Sequence, residues 1–201
     1  MTARNDDDGP AVKVGMEIMS AMDKEFHDAP DRVLAIVGGA YLDSLLKELL
    51  RAVFVDDEKV VNDFLGMYGP LSSNRARYNL AYCLGLIDGE QREDLQTIAK
   101  IRNKFAHRYD LHSFEDAEPG KHIAKLHVGE QLDDIVGDLV NQTSDPLERQ
   151  ALQKIGASGR RKFQDTVRNL FMVLLRKIDA VVRANESTWF PRRNSDQEGV
   201  T

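Results

Sequence analysis

An all-α, multi-helix bundle is what this sequence predicts, on three observations. Apolar residues recur at helical spacing through most of the 201 positions. The segments between the periodic runs are short and carry Gly, Pro, Asp and Ser, the residues of turns and caps. No strand-like run alternates with the helices, as a parallel α/β fold would require. The expected division is a polar, disordered tail over 1–10, one helical domain over 11–190 and a second tail over 191–201. Within the domain, 110–157 reads as irregular or inserted.

The elements follow in order. The first helix runs from about Val12 to His27, and Asp28-Ala29-Pro30 breaks it. The second reaches about Phe54. Val33, Leu34, Val37, Tyr41, Leu45 and Leu49 form its stripe, and Ile36, Leu42, Leu46 and Leu50 widen it, so this helix belongs at the centre. It contains Gly38-Gly39, and each helical glycine costs about 1 kcal/mol against alanine. Close helix packing or a dimer seam would offset that cost. A short helix, Glu58 to Leu65, precedes the Gly66 to Pro70 break. Ser72 or Ser73 then caps a helix extending to about Ile87.

Asp88-Gly89-Glu90-Gln91 reads as a turn with a capping box. The helix it opens carries Leu95, Ile98, Ala99, Arg102, Phe105 and Ala106 on one side and ends near Arg108. Lys121 to Val128 reads weakly as a strand. Leu132, Ile135, Val136, Leu139 and Val140 mark another helix, and Asp145-Pro146-Leu147-Glu148 starts the next. The last is the clearest: Phe163, Val167, Leu170, Phe171, Leu174, Ile178, Val181 and Val182 form one stripe.

The net charge of -6 opposes a whole-molecule affinity for nucleic acid. Residues 158–193 nevertheless hold nine Lys/Arg against three acids, either a solvated helix face or a basic docking surface. A single cysteine, Cys83, excludes an intrachain disulfide and fits a reducing cytoplasm. Its apolar neighbours predict a buried side chain. The acidic start Asp6-Asp7-Asp8 is unlike a signal peptide. The longest apolar runs, Ala35 to Leu42 and Phe171 to Leu175, fall far short of the roughly 20 residues that span a bilayer.

Phosphate loops, dinucleotide fingerprints, zinc helices and a basic recognition helix are all missing, so no cofactor is implied. His112, His122 and His127 lie among Asp110, Glu115, Asp116 and Glu118, at spacings that match no tight metal pattern. The run Arg102-Asn103-Lys104-Phe105-Ala106-His107 carries more chemistry. On a helix Asn103 and His107 share a face, and Arg102 is turned from His107 by about 140° but has a long reach. A histidine moves protons near neutral pH, and an arginine holds a phosphate through its planar fork. Together they suffice in principle for metal-free RNA cleavage by attack of the 2′-hydroxyl. Histidine would transfer the proton, Arg102 steady the phosphorane and Asn103 orient either. The bland account is equally physical. His107 and Arg108 would cap a helix end, and Arg102 and Asn103 would tie down a neighbour through Asp43 or Glu48.

The order of several segments resembles a known family. Asp31-Arg32 and Ala40-Tyr41-Leu42-Asp43 come first, then Gly69-Pro70-Leu71-Ser72-Ser73-Asn74-Arg75. Ala81-Tyr82-Cys83-Leu84-Gly85-Leu86-Ile87 and Ile101 to His107 follow. Over about residues 25–110 this resembles the mannitol operon repressor family of bacterial regulators, and residues 112–157 are longer than its pattern. The resemblance implies an all-helical homodimer that acts in transcription through protein partners. Those partners would be a phosphotransferase-system phosphocarrier or another regulator. Its expected binding patch, between the helix after Pro70 and the one ending at His107, is Arg75, Arg102, Asn103 and His107. The shorter Arg-Asn-x3-His spacing is also similar to the HEPN superfamily, many members of which are dimeric ribonucleases. That alternative would make Arg102, Asn103 and His107 catalytic.

Overall fold

The computed structural model describes residues 10–127 and 137–187. The two tails and part of the expected 132–140 helix lie outside these residues, as does Val128. Eight helices are placed: α1 (Pro10–Phe26), α2 (Asp31–Val53), α3 (Glu58–Leu65), α4 (Asn74–Cys83), α5 (Gly89–His107), α6 (Ala117–Ile123), α7 (Pro146–Ala157) and α8 (Gly159–Ser187). Residues 137–142 are also helical, and no described residue is in a strand.

Local chemistry sets the helix starts. Asp57 accepts from the Val60 N–H to open α3, and Ser73 accepts from the Ala76 N–H to open α4. Asp88 and Gln91 form the reciprocal capping box of α5. Two expectations give way here. The fourth helix stops at Cys83, not Ile87, because the chain turns at Gly85 with φ 68°, a conformation that favours glycine. The expected strand after Lys121 is instead the end of α6, a short helix with Pro119 in its first turn.

The central position of α2 holds: it packs on α8, α5 and α4, and α1 closes over α8. Leu34, Leu42, Leu46, Leu49 and Leu50 are buried, while Val33, Ile36 and Val53 reach solvent. The wide stripe therefore covers three neighbours without closing the circle. The α1–α8 approach is tight at Gly15, where a Cβ would lie 1.9 Å from the Leu175 Cδ1. The end of α5 is held from below by aromatic packing. Phe105 meets Phe114 edge-on at 5.3 Å, and Phe114 stacks on Phe163 of α8 at 4.7 Å. Deleting one such buried ring typically costs about 3–5 kcal/mol.

Cys83 is exposed, contrary to the expectation from its neighbours. The inner face of α4 is Arg77, Tyr78 and Ala81, and Cys83, two positions beyond Ala81, points outward.

Candidate functional site

Two charged fasteners hold the end of α5, and a third joins α2 to α4. Arg32, at the second position of α2, donates to the carbonyls of Phe105, Arg108 (2.8 Å) and Leu111 (2.9 Å). These oxygens lie at and just beyond the helix end, where a helix leaves carbonyls unpaired. Asp31, its neighbour, accepts the Phe114 N–H at 2.8 Å and pairs with Arg160 of α8. Arg160 also donates to the carbonyls of Phe26 and Ala29, tying the α1–α2 turn to the same point. Between α2 and α4, the Arg77 guanidinium is 2% exposed. It donates to Asp43 at 2.6 Å, to the Leu71 and Ser72 carbonyls at 2.7 and 2.8 Å, and to Asn74. Burial, and then the charge of Asp43, push the neighbouring Tyr78 hydroxyl up to about 12, so it stays protonated.

Much of the segment order noted in the sequence is thus internal fastening. Asp31, Arg32 and Asp43 pin helices together, Asn74 steadies Arg77 within α4, and the Gly69 to Ser73 turn supplies carbonyls to Arg77. Arg77 itself was not among the expected site residues. A signal for it existed: it sits on the α4 face of Tyr78 and Ala81, where a lone charge on an apolar stripe demands partners.

Arg102, Asn103 and His107 are left over. The Arg102 stem packs against α2 at Gly39, where a Cβ would lie 3.0 Å from the Arg102 Cδ. The glycine pair therefore serves helix packing: Gly39 makes room for Arg102, and Gly38 faces Phe163 and Val167. From there the guanidinium donates to the Asn103 Oδ1, at 3.0 Å from Nη2 and 3.3 Å from Nε. Arg102 makes no ion pair among the described residues, and the expected ties do not form. Asp43 takes Arg77 and Lys47, and Glu48 lies beside Arg51. His107 is exposed. The cap it was expected to provide comes from Arg32, and the Arg108 side chain turns to Asp110 and Glu118. Paired with Arg108, the Asp110 carboxyl drops to about 2. Arg75 is exposed on the first turn of α4.

Asn103 and His107 line one groove with Lys100, Lys104, Arg108 and His122. It lies between α5 and α6 and not, as expected, between α4 and α5, and neither Arg75 nor Arg102 lines it. Of the other histidines, His127 is bound to Asp94, buried in α5, at 2.9 Å, and this hydrogen bond raises its pKa. The backbone N–H of His112 donates to Asp116. No three His, Cys, Asp or Glu among the described residues are grouped to hold a metal ion. The basic character of 158–193 is partly internal pairing, since Arg160, Arg161 and Arg168 bond to Asp31, Asp165 and Asp23. A second exposed feature is apolar. Val60 and Phe64 of α3 and the following Met67 and Tyr68, the last two 81% and 97% exposed, leave α3 and its turn uncovered. No described helix is long and apolar enough to cross a membrane.

Comparison with known proteins agrees with this architecture. The chain is similar in fold to MtlR in the MtlR–HPr complex from Escherichia coli, with TM-score 0.50 and 20% identity over 87% of this chain and 99% of that one. It is also similar to YggD from Shigella flexneri, described as a possible transcriptional regulator, with TM-score 0.51 and 15% identity over 85% and 98%. No curated protein matches. The family described as Mannitol repressor matches residues 31–177, which takes in Asp31 and Arg32, the Arg77 corner, the α5–α6 groove and most of α8, and the chain belongs to that family.

Proposed function

We propose that this protein is a cytoplasmic, homodimeric transcriptional regulator of the mannitol-repressor type that works by binding another protein. The observation that carries the reading is the state of the α5 end. Arg32 already caps it, so the Arg102 guanidinium, Asn103 and His107 are not needed to close the helix end, and only the Arg102 stem packs on α2. In this reading the partner contacts Asn103 and His107 in the α5–α6 groove and Arg102 and Arg75 outside it, and the uncovered apolar residues of α3 and its turn supply contact area. The Escherichia coli relative of this fold was solved as an MtlR–HPr complex, which favours a phosphocarrier as the partner. The test is capture of a purified phosphocarrier by the wild-type chain and by Arg102→Ala and His107→Ala. The expected result is wild-type binding, weakened about tenfold by each substitution, a loss of about 1.4 kcal/mol. Equal binding by all three forms would remove the patch from the reading, and no wild-type binding would remove the partner.

One observation favours a second reading. Arg102 is bonded to Asn103, and Asn103 shares a cationic groove with the exposed His107. In a metal-independent ribonuclease His107 would take the proton from the 2′-hydroxyl, whose oxygen would attack phosphorus and expel the 5′-oxygen to be protonated by water, and Arg102 would stabilise the negative charge on the phosphorane oxygens. Incubation with RNA in EDTA decides it. Cleavage that disappears in His107→Ala and leaves 2′,3′-cyclic ends would establish the enzyme.

A further inference from the structure

Lys100, Lys104 and Arg108 are spaced by four along α5 and form one stripe on its outer face. Asn103 and His107 lie beside that stripe, and His122 of α6 closes the groove. The cations outnumber their partners. Glu118 pairs with Lys104 at 2.9 Å and with Arg108 at 3.4 Å, and Asp110 takes the rest of Arg108. Lys100 and Lys125 make no ion pair among the described residues. The half-buried His122 imidazole feels this crowding. Burial, and then Lys100, Lys125 and Lys104, hold its pKa below the ordinary value. Gathering like charges opposes folding, in a chain that elsewhere has acids to spare, and an anion in the groove would relieve the repulsion.

We propose that the α5–α6 groove is a binding site for a small phosphate-bearing anion. Lys100 and His122, which line the groove, hold the phosphate, Lys125 adds positive charge beside His122, and the Asn103 amide and His107 meet the rest of the molecule. Ammonium groups serve phosphate as point charges, and charge-assisted hydrogen bonds give the contact its strength. A long polyanion fits less well, because the chain as a whole carries a net charge of -6. The site shares Asn103 and His107 with the protein-binding patch but does not need the partner. Either can therefore fail while the other stands.

The test is amide chemical-shift titration of the full chain at constant ionic strength. The probes are inorganic phosphate, glycerol phosphate and a short single-stranded RNA, against wild type and the double variant Lys100→Ala, Lys125→Ala. Saturable shifts confined to the end of α5 and to α6, weakened about tenfold or more in the double variant, are expected. Glycerol phosphate binding more tightly than inorganic phosphate assigns the site to an organic ester, and equal binding assigns it to free phosphate. A diffuse, non-saturating response, or a double variant that titrates as wild type, overturns the proposal. RNA binding about a hundredfold tighter than either small anion overturns it in favour of nucleic acid.

Discussion

The α2–α4 corner and the outer face of α5 both concentrate positive charge, and they treat it in opposite ways. At the corner the Arg77 guanidinium is out of water, with a carboxylate, two carbonyls and an amide oxygen around it. On α5, Lys100 is exposed and makes no ion pair among the described residues, and among them the Arg102 guanidinium bonds to a neutral amide. A buried charge is tolerated only when its partners are complete, so the corner is committed to holding the fold. A surface charge contributes little to stability, so its retention in a groove calls for a different reason. The contrast separates arginines that fasten from cations available to a ligand, a distinction that the residue types alone do not make.

The largest effect should come from breaking the corner. Arg77→Met leaves two carbonyls without their partner and Asp43 with only the more distant Lys47 among the described residues, and should lower stability by about 3 kcal/mol, read from urea unfolding. Arg32→Ala should cost about 2 kcal/mol by uncapping the α5 end, with faster amide exchange over residues 105–111. Gly39→Ala sharpens the contrast. It gains about 1 kcal/mol of helix propensity but pushes on the Arg102 stem. The expected outcome is a net change below about 1 kcal/mol in either direction, with a displaced Arg102 Nε–H resonance.

A smaller effect follows from His127. Its folded pKa is raised above the ordinary 6.5 by Asp94, so its contribution is complete below 6.5 and is lost as pH rises through the elevated folded value. His122 is shifted the other way and contributes with the opposite sign. Comparing wild type with His127→Gln isolates the first histidine. The wild type should lose under about 1 kcal/mol more than the variant between about pH 6 and pH 8. Least affected should be Lys100→Ala, with a stability change within about 0.5 kcal/mol. A loss as large as that of Arg77→Met would collapse the distinction between the two regions.

The fold was legible because long helices advertise themselves. The stripe from Phe163 to Val182 and the capping box at Asp88 are signals carried within a few turns. Errors fell where local pattern yields to geometry. Leu84, Leu86 and Ile87 suggested a longer helix, but Gly85 turns the chain, and that early end leaves Cys83 facing water. The site was half legible. The Arg102 to His107 run declared itself as unusual, yet the residues that release it from structural duty are distant in sequence. Arg32 reaches across 73 positions to Phe105, and His122 joins Lys100 from a helix that reads as a strand in the sequence. Such partnerships are set by packing, which no local window contains.

The pairing of Asp31 with α8 and of Arg32 with α5 has a mechanical consequence. One peptide unit joins three helix ends and acts as a pivot. The 23 residues of α2 extend roughly 34 Å from it. A tilt of about 5° about that pivot would carry the far end of α2 by roughly 3 Å while moving the α5 end hardly at all. The charged groove lies near the pivot, and α3, with Phe64, Met67 and Tyr68 beyond it, follows the far end, where Asn185 of α8 donates to the Ala52 carbonyl at 2.8 Å. Any such tilt would have to break that hydrogen bond, so it works as a latch on the apolar surface.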